Sequence, residues 1–404
     1  MTRFDPHPAD AYEVGDFTEA VNPADLVYIQ VNVGDADTGL ILLPEGDDGR
    51  RDMIVVDVGT VAGSKLPKLI RALSDDLLER PLLSETSRVA LLVATHPHDD
   101  HIGGVPDFFA NFGDLLKADR GEVWDPAYYF RNAKWHMMMH WLEENPEVGR
   151  LHPTAGTRRH IGQVSVTALS PSTALRNNFD TRGVHVNNAS ISTLVEFPVR
   201  PVFAPSQADA PIGAQLVPVK RRQLLLGADA QAVSWAHVEV DFPNLAEDHS
   251  VQSRALGQAS GKEPLSADVF KVPHHASKMG LNLELVARIQ PLVSIVSCAV
   301  DGHHGFPHDV ALNQLREALQ PTAGSKGKKE RLSDLTLGIL STADTLDDGD
   351  PGTPLGTIAL IVPPAGSTVD VWRFGDGPSQ LVTLASIGDA RRLATPVTKK
   401  ARKG

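Results

Sequence analysis

Hydrophobic and polar positions along this chain switch repeatedly between two periods. Leu26–Val33 alternates loosely, and Thr38–Leu43 and Met53–Val56 follow as short apolar runs bounded by Gly, Pro or Asp. That pattern predicts a meander of short strands. Over Ser64–Arg80 the period lengthens: Leu66, Leu69, Ile70, Leu73 and Leu77 make the single apolar stripe of an amphipathic helix. The run Val89-Ala90-Leu91-Leu92-Val93-Ala94 is short and uniformly apolar, which predicts a buried strand. Tyr128–Glu144, with three consecutive methionines and two tryptophans, reads as a helix. Strand patterns return at Gln163–Ser170, Ser190–Phe197, Gln215–Leu226, Asp268–Val272 and Leu292–Ser297. Helical ones lie at Asn282–Ile289 and Val310–Leu319, and final strands at Leu335–Leu340, Gly356–Val362 and Val369–Phe374. Strands opening both halves, with helices between, predict an α/β architecture: two sheets face to face with helices outside, an αββα sandwich. Pro201–Ile212 and Asp347–Pro354 read as surface loops within it. The expected organisation is an N-terminal extension over 1–25, one domain over 26–390, and a basic disordered tail over 391–404 containing Lys399-Lys400-Ala401-Arg402-Lys403.

Chemistry concentrates where the Val89–Ala94 run ends. Thr95-His96-Pro97-His98-Asp99-Asp100-His101-Ile102-Gly103-Gly104 packs three histidines and two aspartates into six positions. A strand end is where an α/β sheet presents reactive loops. Imidazole and carboxylate are ligands for zinc, iron or manganese. His96 and His98, two apart, can share one metal; Asp100 and His101, a turn later, can reach a second. Two metals roughly 3.5–4 Å apart form a hydrolytic clamp for phosphate esters. A two-metal site needs more ligands than one cluster supplies. Leu224-Leu225-Leu226-Gly227-Ala228-Asp229 ends an apolar run in a carboxylate, either a bridging ligand or a turn residue. Val269-Phe270-Lys271-Val272-Pro273-His274-His275-Ala276-Ser277 ends another in paired histidines: one can ligate while its neighbour bonds substrate or a ligating carboxylate. His136 and His140 stand at i, i+4 but lack the glutamate of H-E-x-x-H, so a packed amphipathic helix is the simpler reading.

Composition narrows the class. The 404 residues are 42% hydrophobic, enough for a sizeable core, and no stretch approaches the ~18 apolar residues of a membrane span. The first residues lack a basic segment followed by an apolar core, and Cys298 is the one cysteine, so a cytoplasmic protein is expected. The net charge of −12 argues against a broad basic surface for long nucleic acid. Local basic groups remain at Lys220-Arg221-Arg222, at 326–331 and in the tail.

The ordered series strand–HxHxDH, strand–Asp, strand–His-His-x-Ser resembles the metallo-β-lactamase-fold hydrolases, and most nearly the soluble hydrolase domain of ComEC-type competence proteins and its stand-alone relatives. That group's D-V-G-Q-G-D stretch is matched by Val31-Asn32-Val33-Gly34-Asp35-Ala36-Asp37, and its I-D-x-G by Val55-Val56-Asp57-Val58-Gly59. Its N-N-x-S-L-V is similar to Asn187-Asn188-Ala189-Ser190-Ile191, its L-L-T-G-D to Leu225-Leu226-Gly227-Ala228-Asp229, and its K-V-x-H-H-G-S to Lys271–Ser277. Gly305-Phe306-Pro307-His308 stands for a late G-H-P-H. The resemblance spans Leu26 to Val362. It implies that His96 and His98 hold one metal, that Asp100, His101 and His275 hold the other, that Asp229 bridges them, and that Asp57 fixes the histidine cluster from behind. Asp100, Asp229 and His274 are then the catalytic set, and the cofactor is two divalent ions, zinc first with Mn or Fe as alternatives. Where relatives place a third histidine for the first metal, this chain offers Asn188 of the Asn187-Asn188 pair, or His185. Ala276 replaces a glycine, and Phe306 a histidine, with His303, His304 and His308 around it. The implied reaction is attack by a metal-activated hydroxide on a phosphodiester, as a nuclease or small phosphodiesterase, with nucleic acid among the candidate substrates. Ser277, Lys278, His304 and His308, and Arg221-Arg222, are candidate substrate contacts. The alternatives are a lactone, thioester or lactam hydrolase of the same fold, or a metal-stabilised binding module.

Overall fold

A computed structural model describes residues 3–59, 65–74, 80–128, 130–178, 186–199, 203–205, 216–218, 221–241, 266–302, 304–320, 331–349 and 351–398. His185, His303, Lys220, residues 326–330 of the basic segment and Lys399–Lys403 lie outside these residues. The expected α/β sandwich is present. Three apolar clusters stack in layers. The middle one, with Tyr28, Leu91, Val93, Val166, Leu224 and Val293, glues two sheets together. The other two lie on the sheets' outer faces beneath helices.

The first sheet runs Tyr12–Gly15, Ala390–Leu393, Thr368–Arg373, Ile358–Val362, Leu26–Gln30, Thr38–Leu42, Met53–Val58, Val89–Val93, Glu122–Trp124, Gly149–Leu151. Met53–Val58 through Gly149–Leu151 pair in parallel. Strands Val89–Val93 and Met53–Val58 are buried almost throughout, which explains their non-alternating sequences. The second sheet runs Ile339–Ser341, Val293–Val296, Val269–Lys271, Arg222–Leu226, Thr193–Phe197, Val164–Ala168, Arg158–Ile161, its first four strands parallel. The C-terminal ends of these two parallel sets carry Asp57, the HxHxDH cluster, Asp229 and the His274-His275 pair.

On the first sheet's outer face lies Val105–Lys117, a helix the sequence reading did not single out. Its Val105, Phe108, Phe109, Phe112 and Leu116 bury one stripe, and Pro106 fits its first turn, where no backbone donor is needed. The expected helix at Ser64–Arg80 is described over Leu66–Ala72, and the one at Tyr128–Glu144 starts only at Ala133. Asn132 caps the latter by accepting from the Lys134 and Trp135 amides.

Two expectations need correction. Leu335–Leu340 is not one strand: Ser333 accepts from the Thr336 amide, a single helical turn Asp334–Leu337 follows, and left-handed Gly338 ends it before Ile339–Ser341. Strong caps at both ends override the apolar alternation. The boundaries expected at 25/26 and 390/391 do not separate domain from appendage either. Tyr12–Gly15 pairs antiparallel with Ala390–Leu393, and Val397–Thr398 pairs with Thr368 and Val369, so residues 391–398 belong to the sheet rather than to a disordered tail. The Arg392 guanidinium gains a carboxylate partner there, Asp370 at 2.9 Å, which a reading of local charge could not foresee. No helix among the described residues is long and apolar enough to cross a membrane.

Candidate metal centre

Five loops converge at the strand ends. Pro97 and the single turn Asp99–Ile102 carry the HxHxDH cluster back over Met53–Val58, and the site begins with the carboxylate that anchors it. Asp57 accepts from the Thr95 amide and hydroxyl, both at 2.8 Å, and from His101 Nδ1 at 2.7 Å. His101 therefore carries a ring proton on Nδ1, and Nε2 is the nitrogen turned to the cavity. The glycine two residues on has an equally local reason: a Cβ on Gly59 would lie 1.8 Å from the Asp100 carbonyl oxygen.

Asp229 stands between two groups of imidazoles. Its Oδ1 lies 3.2 Å from His101 Nε2, while its Oδ2 lies 3.6 Å from His96 Nε2 and 3.7 Å from His274 Nε2. His98 Nδ1 is 3.0 Å from His96 Nε2. On the other side, Asp100 Oδ2 lies 3.6 Å from His275 Nε2 and 3.8 Å from His101 Nε2. His275 Nδ1 donates to the Ser297 carbonyl at 2.9 Å, so its Nε2 is likewise the nitrogen that faces inward. Two ligand sets result, one of His96, His98 and Asp229, the other of His101, Asp229, His275 and Asp37, each with donor atoms within 4.8 Å of one another.

Whether a cation suits this centre can be judged from its hydrogen bonds. His101 Nε2, His275 Nε2 and Asp229 Oδ1 are buried and have no hydrogen-bond partner. Buried polar atoms in proteins are nearly always satisfied, and three orphans aimed at one another are what a divalent ion would satisfy. The donor set of imidazole nitrogen and carboxylate oxygen is that of zinc, manganese or iron.

The backbone is forced to build this. Asp57, Ala228, His274, His275 and Ala276 all have positive φ, five of the nine such non-glycine residues among those described. Such conformations cost of order 1–3 kcal/mol each and persist only where surroundings impose them. The left-handed turn at His274 (φ 50°) and His275 (φ 51°) lets adjacent side chains face the same carboxylate instead of opposite sides of a strand. Ala276 accepts the same strain at φ 60°.

Charges respond to the crowding. Burial, with the neighbouring His101 charge, holds His96 well below the usual histidine range. Burial also lowers His98 and His274. At His101 burial is outweighed by Asp229, Asp57 and Asp100, so its pKa stands well above that range; at His275 burial is outweighed by Asp37 and Asp100. Burial would raise Asp229 and Asp100, but the His101 charge outweighs it and both are depressed.

Several sequence assignments shift. Asn188 does not face the centre: its amide donates to Gln231 Oε1 at 3.4 Å and its carbonyl oxygen accepts from Ser234. Asn187 does, with Nδ2 3.1 Å from Asp229 Oδ2 and 3.2 Å from His274 Nε2. The 3-10 turn Val186–Ala189 rotates these neighbours apart, so adjacency in sequence did not decide which one points inward. Ser277 is buried and accepts from the Met279 amide, closing the turn. Lys278 and His304 are exposed, and His308 Nδ1 accepts from the Lys278 amide at 3.2 Å. Arg222 is buried at the opposite end of its strand, where it donates to the Gly366 and Thr368 carbonyls, and Arg221 donates to Val199 O; neither contacts the centre. His136 and His140 are exposed, as the reading of a plain amphipathic helix requires.

Asp37 is the residue the sequence reading quoted without a role. It joins the second ligand set, and its oxygens lie 2.8 and 2.9 Å from Lys271 Nζ. A buried lysine beside a ligand carboxylate offsets one negative charge of the centre. The signal was present as Gly34-Asp35-Ala36-Asp37, but its partner lies 234 positions away.

Fold and site together define an αββα protein with a buried histidine–carboxylate centre that fits divalent cations. The chain matches no family model and no curated protein. Among solved structures it is similar to the metallo-β-lactamase fold protein YhfI from Bacillus subtilis, at 10% identity and a TM-score of 0.34 over 73% of this chain and 93% of that one. It is similar to a diphosphatase of the PhnP family, at 9% identity and a TM-score of 0.32 over 79% and 95%. A third likeness is to CmlA, a diiron β-hydroxylase from Streptomyces venezuelae, at 14% identity and a TM-score of 0.34 over 76% of this chain; the chain spans about half the length of that protein.

Proposed function

We propose that this chain is a metal-dependent hydrolase of the metallo-β-lactamase type that cleaves phosphodiesters, and that it works with two divalent ions. The observation that carries the reading is the division of Asp229, whose two oxygens face separate imidazole sets across a centre with three orphaned buried atoms. His96, His98 and Asp229 would hold one ion; His101, His275, Asp100 and Asp229 the other, with Asp37 behind them. Bound there, the ions would supply Lewis acidity and a water of lowered pKa.

The chain's own groups do the rest. Asp57 and the Ser297 carbonyl hold a proton on Nδ1 of His101 and His275, so that each Nε2 is the atom an ion would take in exchange for its proton. Asn187 orients Asp229 Oδ2. His274, whose Nδ1 accepts from the Gln231 side-chain amide at 3.2 Å, carries its ring proton on Nε2 beside Asp229 and can donate it there. Lys278 at the rim supplies a cation for a substrate phosphate. A diester is chosen over a lactone or thioester because the ordered motifs resemble ComEC-type hydrolases, and because a centre holding two cations suits an anion. The −12 net charge favours a small or locally held substrate over long duplex.

The test is hydrolysis of bis(p-nitrophenyl) phosphate by protein reconstituted with Mn²⁺ or Zn²⁺, alongside a lactone panel and elemental analysis. The expected result is diester cleavage lost in the His96→Ala/His98→Ala variant together with one equivalent of metal. Equal activity in that variant sinks the mechanism, and turnover of lactones alone sinks the substrate.

A further inference from the structure

The imidazoles of the centre form a row, and a phenylalanine closes each end. Ring centroids step from Phe130 to His98 (5.6 Å), His96 (4.7 Å), His101 (4.0 Å), His275 (5.8 Å) and Phe306 (5.5 Å). Phe306 also meets the His274 ring at 5.4 Å. Both phenylalanines are half-buried, each with part of its surface open to solvent.

Neither ring sits on a loose loop. The Phe130 carbonyl accepts from the Asn132 amide, and the Asn132 side chain donates to Pro97 O at 3.0 Å and Asp99 Oδ1 at 2.9 Å, tying that segment to the HxHxDH loop. Phe306 is fastened from two sides. The His308 amide donates to Ala276 O and its ring accepts from the Lys278 amide, joining the loop to the His274–His275 turn. From the other side the N-terminal segment crosses the loop: the Arg3 guanidinium donates to the carbonyls of both Gly305 and Pro307, the neighbours of Phe306. Arg3 itself is held by Arg316, which donates to its carbonyl at 2.9 Å and pairs with Asp334. The His7 amide bonds Thr345 O, anchoring the strap further along.

A metal centre needs none of this. Two aromatic rings, held at fixed places beside the ligands and only partly buried, are suited to recognise flat groups, which such rings attract by offset or edge-to-face contact at little entropic cost. With an acidic protein around them, stacking also supplies affinity that phosphate contacts cannot. We propose that Phe306 and Phe130 are specificity-determining residues that each take a planar unsaturated group flanking the bond to be cut, and that Arg3 is a positioning residue for Phe306. This rests on the hydrolase reading for the bond, but its test does not require turnover.

The experiment is calorimetric titration of the metal-loaded full chain with phenylphosphonate and with methylphosphonate, which share the anion and differ in the ring. The expected preference for phenylphosphonate is on the order of tenfold. Phe306→Leu, which keeps an apolar side chain but loses the ring, abolishes at least half of it and leaves methylphosphonate affinity unchanged; Phe306→Tyr keeps it. Arg3→Ala lowers the preference as Phe306→Leu does, and the two together lower it no further. AMP against ribose 5-phosphate tells whether the flat group is a nucleobase or a simple aryl ring. Equal affinity of wild-type protein for both phosphonates overturns the proposal, as does a Phe306→Leu variant that weakens both equally. Failure to bind either phosphonate refutes the reading of the centre itself, a separate outcome.

Discussion

Replacing Asp57 by Asn is the sharpest probe of how the centre is preset. Asn is nearly isosteric, and it tolerates the positive φ (58°) that Asp57 adopts, so the fold should survive. The carbonyl oxygen of the new amide must stay where Oδ1 accepts from the Thr95 amide, because that buried donor has no substitute. The NH₂ then replaces Oδ2, 2.7 Å from His101 Nδ1. Two donors cannot share that contact, so Nδ1 becomes the acceptor and the ring proton moves to Nε2, the atom aimed at Asp229 Oδ1. Loss of a charge-assisted hydrogen bond is worth about 1.5–3 kcal/mol, or roughly 10–100-fold in metal affinity, the range found for groups that orient metal-binding histidines. The defect should fall on the His101–His275 ion and spare the His96–His98 ion. Competition against a graded series of chelators, read by metal content, measures each step. If Asp57→Asn binds both equivalents as tightly as the parent, the tautomer argument is wrong.

Lys271→Met leaves Asp37 buried without its ion partner and should cost about 3–5 kcal/mol in denaturant unfolding; adding Asp37→Asn should recover most of it, and failure to recover would show that the lysine acts by packing alone. Metal-free protein should lose thermal stability as pH rises. His101 and His275 are raised in the fold, so their contribution is complete below the ordinary value of 6.5 and disappears as pH climbs through their folded values. A thermal scan from about pH 7.5 to about pH 9, above the range where His96, His98 and His274, lowered in the fold, act in the opposite direction, checks this, and a flat profile contradicts it. Asp229, depressed in the fold, acts in the opposite window: its contribution is present above 3.8 and lost as acid protonates it. Gly59→Ala drives a methyl into the Asp100 carbonyl and should cost about 1–3 kcal/mol, with metal content at the His101–His275 ion falling in parallel; a stable variant with full metal content would mean the loop has room to yield.

How much of this was legible depended on distance along the chain. The HxHxDH cluster, Asp229 and the His-His pair each follow an apolar strand, so local pattern announced them and their meeting at parallel strand ends follows from α/β geometry. The helix Val105–Lys117 was equally local, yet the glycines and aspartates flanking it drew attention to the metal loop instead. Asn187 against Asn188 turned on one peptide's rotation, which no periodicity encodes. Asp37 and Lys271 illustrate the remaining limit. Each alone is an ordinary charged residue at a strand end, and only the stacking of one sheet on the other brings them within 2.8 Å. Arg3 and Phe306 are separated still further. Arg3 reaches the carbonyls on either side of Phe306 from an N-terminal segment that continues into Tyr12–Gly15, a strand paired with Ala390–Leu393. The N-terminal segment therefore holds the Phe306 loop beside the centre, although none of its residues belongs to the centre's chemistry.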